Sequence, residues 1–238
     1  SAVYPDYKHT VPSWRTHLWQ IVVRIETNTG QIGWGYGGGG KAAVEIVNGH
    51  FAEILVNKSF DSVSDISDIW NFLYTASIPY GRKGIAIMAL SGVDLALFDA
   101  LGKAEMTPVA KLLNASTKDR IRCYATGPDT DYYAELGFTA QKFPFQWHGD
   151  ESEAAGVAMA EKARSTLGKD AEVMFDVYMT WDSNITIRMH DALKHISIHW
   201  YEDILTPDDL EEIGVLRTKI SPVNMAGGEH EFTAQGFA

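Results

Sequence analysis

Short strand-like segments alternate with helical segments from residue 120 to residue 229, and this alternation limits the fold more than any other feature. Residues rich in β-branched and aromatic side chains predict five strands, at 120–126, 139–144, 172–178, 196–202 and 222–229. Helical patterns separate the strands, at 132–136, 151–167, 184–195 and 208–218. Strands that are joined by a helix pair in parallel, because a parallel pair needs a long crossover connection. We therefore predict a parallel α/β domain over residues 119–238.

The first part of the chain has a different pattern, in which a hairpin precedes helices. The strand-like segments 17–26 and 32–34 flank a turn at 28–31. Apolar residues then recur at a helical spacing in 41–55, 64–76 and 83–103. These observations predict a separate α+β domain over residues 1–118.

The composition argues against two classes of partner. The chain has 20 Lys and Arg residues against 31 Asp and Glu residues, so its net charge of −11 does not favour nucleic acid. The most apolar segment, 84–102, is interrupted by Asp94 and Asp99, so it is not predicted to span a membrane, which needs about 20 apolar residues. The single cysteine, Cys123, cannot form an internal disulfide and favours a reducing, cytoplasmic location.

Three acidic residues follow the apolar parts of successive predicted strands. Asp176, Glu202 and Glu229 are each separated by about one βα unit, so parallel pairing would bring them to the carboxyl edge of the sheet. Three carboxylates at one point repel each other unless a cation neutralises them, and oxygen ligands favour Mg²⁺. Acids at strand ends can also be solvated or can cap helices. Their equivalent placement in three units favours the metal site.

The glycine-rich segment 33–38 offers a competing interpretation. It fits the pattern G-x-G-x-x-G and precedes a helical pattern, as a dinucleotide site would. A dinucleotide site needs a parallel βαβ unit, whereas the preceding strand is predicted to pair in a hairpin. A glycine-rich loop of the first domain is therefore the preferred interpretation.

A resemblance to a known family adds to this interpretation. The predicted helix 92–103, together with the segment that continues to residue 113, resembles the signature helix of the mandelate racemase branch of the enolase superfamily. The residues that carry this resemblance are Gly92, Asp94, Asp99, Gly102, Pro108, Leu112 and Leu113. The resemblance covers essentially the whole chain and implies an N-terminal α+β capping domain followed by a (β/α)₈ TIM-type barrel.

Within that branch, the chain most resembles the L-rhamnonate dehydratases. The segments concerned are 123–127, 137–138, 141–144 with Trp147, and 228–230. This resemblance implies a Mg²⁺-dependent lyase that dehydrates an acid sugar to a 2-keto-3-deoxy acid, with a small-molecule substrate and a homo-oligomeric assembly. A racemase or cycloisomerase of the same superfamily is one alternative. A catalytically inactive fragment that serves as a binding or assembly subunit is another.

The resemblance also suggests roles for individual residues. Lys142 lies on the second barrel strand, where the branch's racemases carry Lys-x-Lys, but Pro144 replaces the second lysine. This replacement argues against a two-base racemase, and Lys142 remains a candidate catalytic residue that could orient the substrate. Tyr178, His230 and Arg15 are candidate substrate contacts, and Arg15 falls in the segment that the resemblance assigns to a capping loop.

The strand count indicates that part of the barrel is missing. A closed barrel needs eight strands and the sequence predicts five. By resemblance, the missing part holds three βα units with the His–Asp pair that supplies the base, and a capping strand is also missing before Ser1. Residues 1–238 are therefore expected to carry the metal ligands without a complete acid–base pair.

Overall fold

The computed structural model describes residues 15–114, 116 and 118–238. Its described residues form two compact units. The first unit comprises the described residues between 15 and 119 together with residues 232–238. The second unit comprises residues 120–231.

The first unit is built on a hairpin, as the turn at 28–31 predicts. A short helix α1 (Arg15–Leu18) leads into β1 (Ile21–Glu26) and β2 (Ile32–Gly37). The two strands pair antiparallel, with Ile21 opposite Gly37 and Glu26 opposite Ile32. This pairing leaves no parallel βαβ unit at the glycine-rich segment.

Helices follow the hairpin along the chain. They are α2 (Gly40–Ile46), a π-helical turn (Val47–Phe51), α3 (Ala52–Leu55), α4 (Val63–Gly81), α5 (Ile85–Ala104) and α6 (Val109–Leu112), and α11 (Thr233–Gly236) belongs to the same unit. The helix predicted over 41–55 is confirmed, and a π-helical turn at Val47–Phe51 lies within the helical run, between α2 and α3.

Helix α5 forms the centre of this unit. By length and composition alone it is apolar enough to cross a membrane, with a mean hydropathy of 1.8 over its most apolar 18 residues. Half of that stretch is buried inside the protein. Ala89, Val93 and Ala96 are fully buried, and the helix packs against β2 and α4. Its apolar character is therefore explained by its place in the core.

The glycines of β2 allow α5 to approach the hairpin closely. Gly33, Gly35 and Gly37 lie on one face of the strand, against the backbone of α5. A Cβ atom at Gly35 would lie 1.9 Å from the carbonyl oxygen of Gly92. The glycine-rich pattern therefore serves strand–helix packing, and the prediction of a loop over 33–38 is wrong because residues 33–37 belong to β2.

We expect Gly35→Ala to destabilise the first unit by about 1–3 kcal/mol or more, because the atoms that the new Cβ would meet belong to the backbone and cannot rotate away. Urea denaturation measures the change in the free energy of unfolding. Gly49→Ala is the matched control, since a Cβ there has nothing within 4 Å. Equal stability of the two variants would show that the packing against α5 is looser than the structure indicates.

The second unit contains a five-stranded parallel sheet whose strands lie in chain order. The strands are β3 (Ala125–Thr126), β4 (Ala140–Pro144), β5 (Glu172–Asp176), β6 (Trp200–Glu202) and β7 (Asn224–Ala226). The intervening helices are α7 (Thr130–Glu135), α8 (Glu151–Leu167), α9 (Ser183–Leu193) and α10 (Leu210–Lys219). The predicted alternation and parallel pairing are confirmed.

Four of the five strands are clearly shorter than predicted, because local backbone features end them. Ser197, at φ 60°, interrupts the segment before β6, and Tyr178, at φ 47°, lies beyond the end of β5. Pro222 has no N–H to donate to a neighbouring strand, and β7 begins after it. The predicted first strand, 120–126, is reduced to Ala125–Thr126.

The two faces of the sheet carry different side chains. Phe143, Phe175 and Tyr201 are register partners on β4, β5 and β6 and are buried in the apolar core of this unit. Since side chains alternate along a strand, Asp176 and Glu202 lie on the opposite face. These two acids are themselves register partners, so the core packing places their side chains next to each other.

Candidate metal centre

Lys142 connects the carboxylates at the ends of β5 and β6. Its Nζ atom lies 3.0 Å from Oδ2 of Asp176 and 2.6 Å from Oε1 of Glu202. Only 8% of the Lys142 surface is exposed. Lys142 is therefore not a solvated surface lysine, because its ammonium bridges two of the three acids in the predicted ligand set.

The charges around Lys142 keep it protonated. Burial alone would lower its pKa, but the hydrogen bonds and negative charges of Glu202 and Asp176 outweigh that effect and raise it. A lysine whose pKa is raised is a poor proton acceptor at neutral pH. The arrangement therefore suits Lys142 to balance charge better than to act as a base.

Glu229, the third acid, belongs to a second group of side chains, which come from the segments directly after β6 and β7. The possible ligand atoms of Asp203, Glu229 and His230 all lie within 4.8 Å of one another, the one group of this kind found among the described residues. Nε2 of His230 is 3.5 Å from Oε1 of Glu229. Asp203 and His230 thus extend the acidic site toward the loop after β7.

The two groups influence each other electrostatically. Partial burial and the charge of Asp203 raise the pKa of Glu229, and Asp176 and Glu202 raise it further, whereas His230 lowers it. Burial also raises the pKa of Asp203, and its Oδ2 atom is buried without a hydrogen-bond partner. The carboxylates of Asp176, Glu202, Asp203 and Glu229 therefore lie close enough to repel each other, and Lys142 and His230 offset only part of their negative charge.

These features fit a hard divalent cation. The donor atoms are carboxylate oxygens, the ligand type that Mg²⁺ prefers, and one buried oxygen of Asp203 has no partner. The ligand set of Asp176, Glu202 and Glu229 stays a prediction. Asp176 and Glu202 lie around Lys142, whereas Glu229 lies with Asp203 and His230.

Asp203 is a site residue that the sequence interpretation missed. Strand alternation would turn a residue next to Glu202 to the other face of the sheet. At Asp203, however, the backbone has a φ of 48°, and its carboxylate lies beside Glu229 and His230. No local sequence signal predicts this conformation. The one available signal is that Asp203 directly follows the predicted ligand Glu202 in the sequence.

Two other predicted residues have different outcomes. On the predicted strand 172–178 Tyr178 would face the same way as Asp176, but β5 ends at Asp176, so strand alternation does not reach Tyr178. Its ring nevertheless meets the His230 ring edge-on, with centroids 5.7 Å apart. The side chain of Arg15 lies outside the described part of the chain, so its role stays a prediction.

A parallel sheet of βα units with acids at its carboxyl edge defines an α/β protein of the barrel class. Two family models match the chain: "Mandelate racemase / muconate lactonizing enzyme, N-terminal domain" over residues 11–114, and "Enolase C-terminal domain-like" over residues 130–238. The chain belongs to the mandelate racemase/muconate lactonizing enzyme branch of the enolase superfamily, which confirms the resemblance and the predicted fold class.

Three similar proteins illustrate this relationship. The L-rhamnonate dehydratase of Saccharopolyspora erythraea is 36% identical over 99% of this chain and 61% of its own length. The rhamnonate dehydratase of Gibberella zeae, crystallised in complex with Mg, is 33% identical, with a TM-score of 0.84 over 92% of this chain and 54% of that one. A racemase of Streptomyces coelicolor A3(2) with bound magnesium is 29% identical, with a TM-score of 0.80 over 92% of this chain and 70% of its own. The chain spans about 60% of the length of the curated relatives it matches.

We expect Lys142→Met to lower the free energy of unfolding by about 3 kcal/mol when divalent cations are removed by a chelator. The substitution leaves Asp176 and Glu202 partly buried and unbalanced, which is costly. Lys162→Met is the matched control, because Lys162 pairs with Asp131 at an exposed site, where an ion pair is worth less than about 1 kcal/mol. A similar loss in both variants would mean that Lys142 does not hold the acids together.

Proposed function

We propose that this chain forms the capping part and the metal-binding part of a Mg²⁺-dependent acid-sugar dehydratase, a hydro-lyase with a substrate like L-rhamnonate. The observation that carries the proposal is the convergence of Lys142, Asp176, Glu202, Asp203 and Glu229 at the carboxyl edge of a parallel sheet. Active sites of (β/α)₈ barrels lie at this edge. The dehydratase names of two relatives that are 33–36% identical to the chain support the reaction class.

In this proposal, Asp176, Glu202 and Glu229 hold the cation. When bound, Mg²⁺ supplies a positive charge that stabilises the negative charge developing on the substrate carboxylate as the neighbouring proton is removed. Lys142 contributes a fixed positive charge beside the ligands and helps an acidic site to accept an anionic substrate. His230 and Tyr178, whose rings touch beside Glu229, are proposed to contact the substrate.

The second barrel strand favours dehydration over racemisation. Pro144 stands where the racemases of the branch carry the second lysine, and it lies in register with Asp176. Lys142 is paired with two carboxylates that keep it charged. These residues supply no pair of bases on opposite sides of a substrate, so a two-base racemase is disfavoured.

The metal site is tested by Asp176→Asn, Glu202→Gln and Glu229→Gln. Each change removes one anionic ligand, so we expect each to weaken Mg²⁺ binding at least tenfold, as measured by isothermal titration calorimetry. Glu172→Gln is the control, because Glu172 begins β5 at the opposite end of the strand and pairs with Arg122. If all three variants bound Mg²⁺ as the unaltered protein does, the metal proposal would be wrong.

Turnover separates the dehydratase from its alternatives. We expect residues 1–238 to show no dehydration when they are tested against a library of mono- and diacid sugars. The reason is that the described side chains are not expected to include both the base that removes the proton and the acid that assists departure of the hydroxyl group. A protein extended over the remaining length of its relatives should convert six-carbon acid sugars such as L-rhamnonate to a keto acid.

Two results would contradict these expectations. Dehydration by residues 1–238 that His230→Asn abolishes would show that His230 is the base. An extended protein that binds Mg²⁺ but forms no keto acid, or that acts on amino-acid amides or muconate instead, would overturn the dehydratase proposal. The metal site would survive either outcome.

Location and assembly are also proposals. Cys123 is exposed and is the single cysteine of the sequence, which supports a reducing compartment such as the cytoplasm. A homo-oligomer is proposed from the family resemblance, and sedimentation velocity would test it.

A further inference from the structure

The Glu202 carboxylate receives a hydrogen bond at each of its oxygens. Lys142 donates to Oε1 over 2.6 Å, and the indole N–H of Trp200 donates to Oε2 over 3.0 Å. Trp200 and Glu202 are two residues apart on β6, so their side chains lie on the same face of the sheet. The orientation of the carboxylate is therefore set by two donors of different kinds.

The indole ring of Trp200 is itself held by other aromatic rings. The Tyr124 ring meets it nearly perpendicularly, at a centroid distance of 5.5 Å and an interplanar angle of 82°. The centroid of the His199 ring lies 5.1 Å from that of the indole ring. These contacts restrict the motion of the indole ring, so its N–H stays directed at Glu202.

A neutral donor has a property that Lys142 lacks. A bound cation and the Lys142 ammonium are both positively charged and both attracted to the Glu202 carboxylate. They therefore repel each other when both lie close to it. The indole N–H carries no net charge, and it can therefore keep its hydrogen bond to Oε2 whether or not a cation is bound. Hydrogen bonds of this kind orient the carboxylates that ligate metals.

We propose that Trp200 is a positioning residue that holds Glu202 in the orientation in which it binds a divalent cation. The inference rests on the proposed metal site. If Trp200 served packing alone, any aromatic ring of suitable shape would do. If it positions Glu202, the N–H group itself is required.

The first experiment measures Mg²⁺ affinity by isothermal titration calorimetry. Trp200→Phe keeps an aromatic ring against Tyr124 but removes the N–H, and we expect it to weaken binding by about 10–100-fold. Trp70→Phe is the matched control, because Trp70 stacks on Tyr74 in the first unit, and we expect it to leave the affinity unchanged. Thermal unfolding of both variants shows whether each is folded.

The second experiment observes the hydrogen bond without metal. In protein labelled with ¹⁵N-tryptophan, the Trp200 indole resonance is assigned by its absence from Trp200→Phe. We expect Glu202→Ala to shift the indole proton of Trp200 upfield, because the acceptor is lost. The Trp70 resonance should not move. If Trp200→Phe does not fold, the Trp200 resonance is assigned instead from its nuclear Overhauser effects to the ring protons of Tyr124.

The outcomes distinguish the inference from the proposal on which it rests. If Glu202→Gln abolishes Mg²⁺ binding while Trp200→Phe binds normally, the positioning role is wrong and the metal site stands. If neither change affects Mg²⁺ binding, both are wrong. An indole resonance that does not respond to Glu202→Ala would also overturn the positioning role, whatever the metal data show.

Discussion

The second unit depends on how it accommodates like charges at one edge of its sheet. Register pairing places Asp176 directly beside Glu202, and carboxylates this close repel each other unless a cation lies between them. The Lys142 ammonium is bound to both, 3.0 Å from one and 2.6 Å from the other. The same register that aligns the strands therefore requires a buried positive charge at this edge, and the strand β4 provides it.

The core and the site are two results of one alternation. Phe143, Phe175 and Tyr201 form a row of register partners buried in the core of this unit. The alternate positions on the same strands carry Lys142, Asp176 and Glu202 on the opposite face. A slip of one residue in the pairing of β5 would move Phe175 out of the apolar core and turn an acid into it, so hydrophobic packing holds the acidic side chains in place.

The sequence predicts features that depend on local pattern, and it misses those that depend on contacts between distant residues. Alternating strands and helices, and acids that end successive strands, are visible as periodicity and spacing. The position of Asp203 depends on a left-handed backbone conformation, and the contact of Trp200 with Glu202 depends on a side-chain rotamer. The glycine pattern of β2 does not by itself indicate what the glycines are for. Their role depends on a contact between distant residues, the close approach of α5 to the strand.

The balance of charge at the site bears on how an acidic chain could bind the acidic sugar that is proposed as its substrate. Four carboxylates, those of Asp176, Glu202, Asp203 and Glu229, lie at the same edge as Lys142, and burial together with their mutual repulsion raises the pKa of Glu229 and of Asp203. A second lysine at position 144 would offset part of this charge, but proline stands there. A divalent cation held by these carboxylates would offset more charge than a lysine, and in the proposed dehydratase it would also supply positive charge for the substrate carboxylate. Proline at position 144 and the additional acid, Asp203, therefore both increase the negative charge that a metal ion at the proposed site would have to offset.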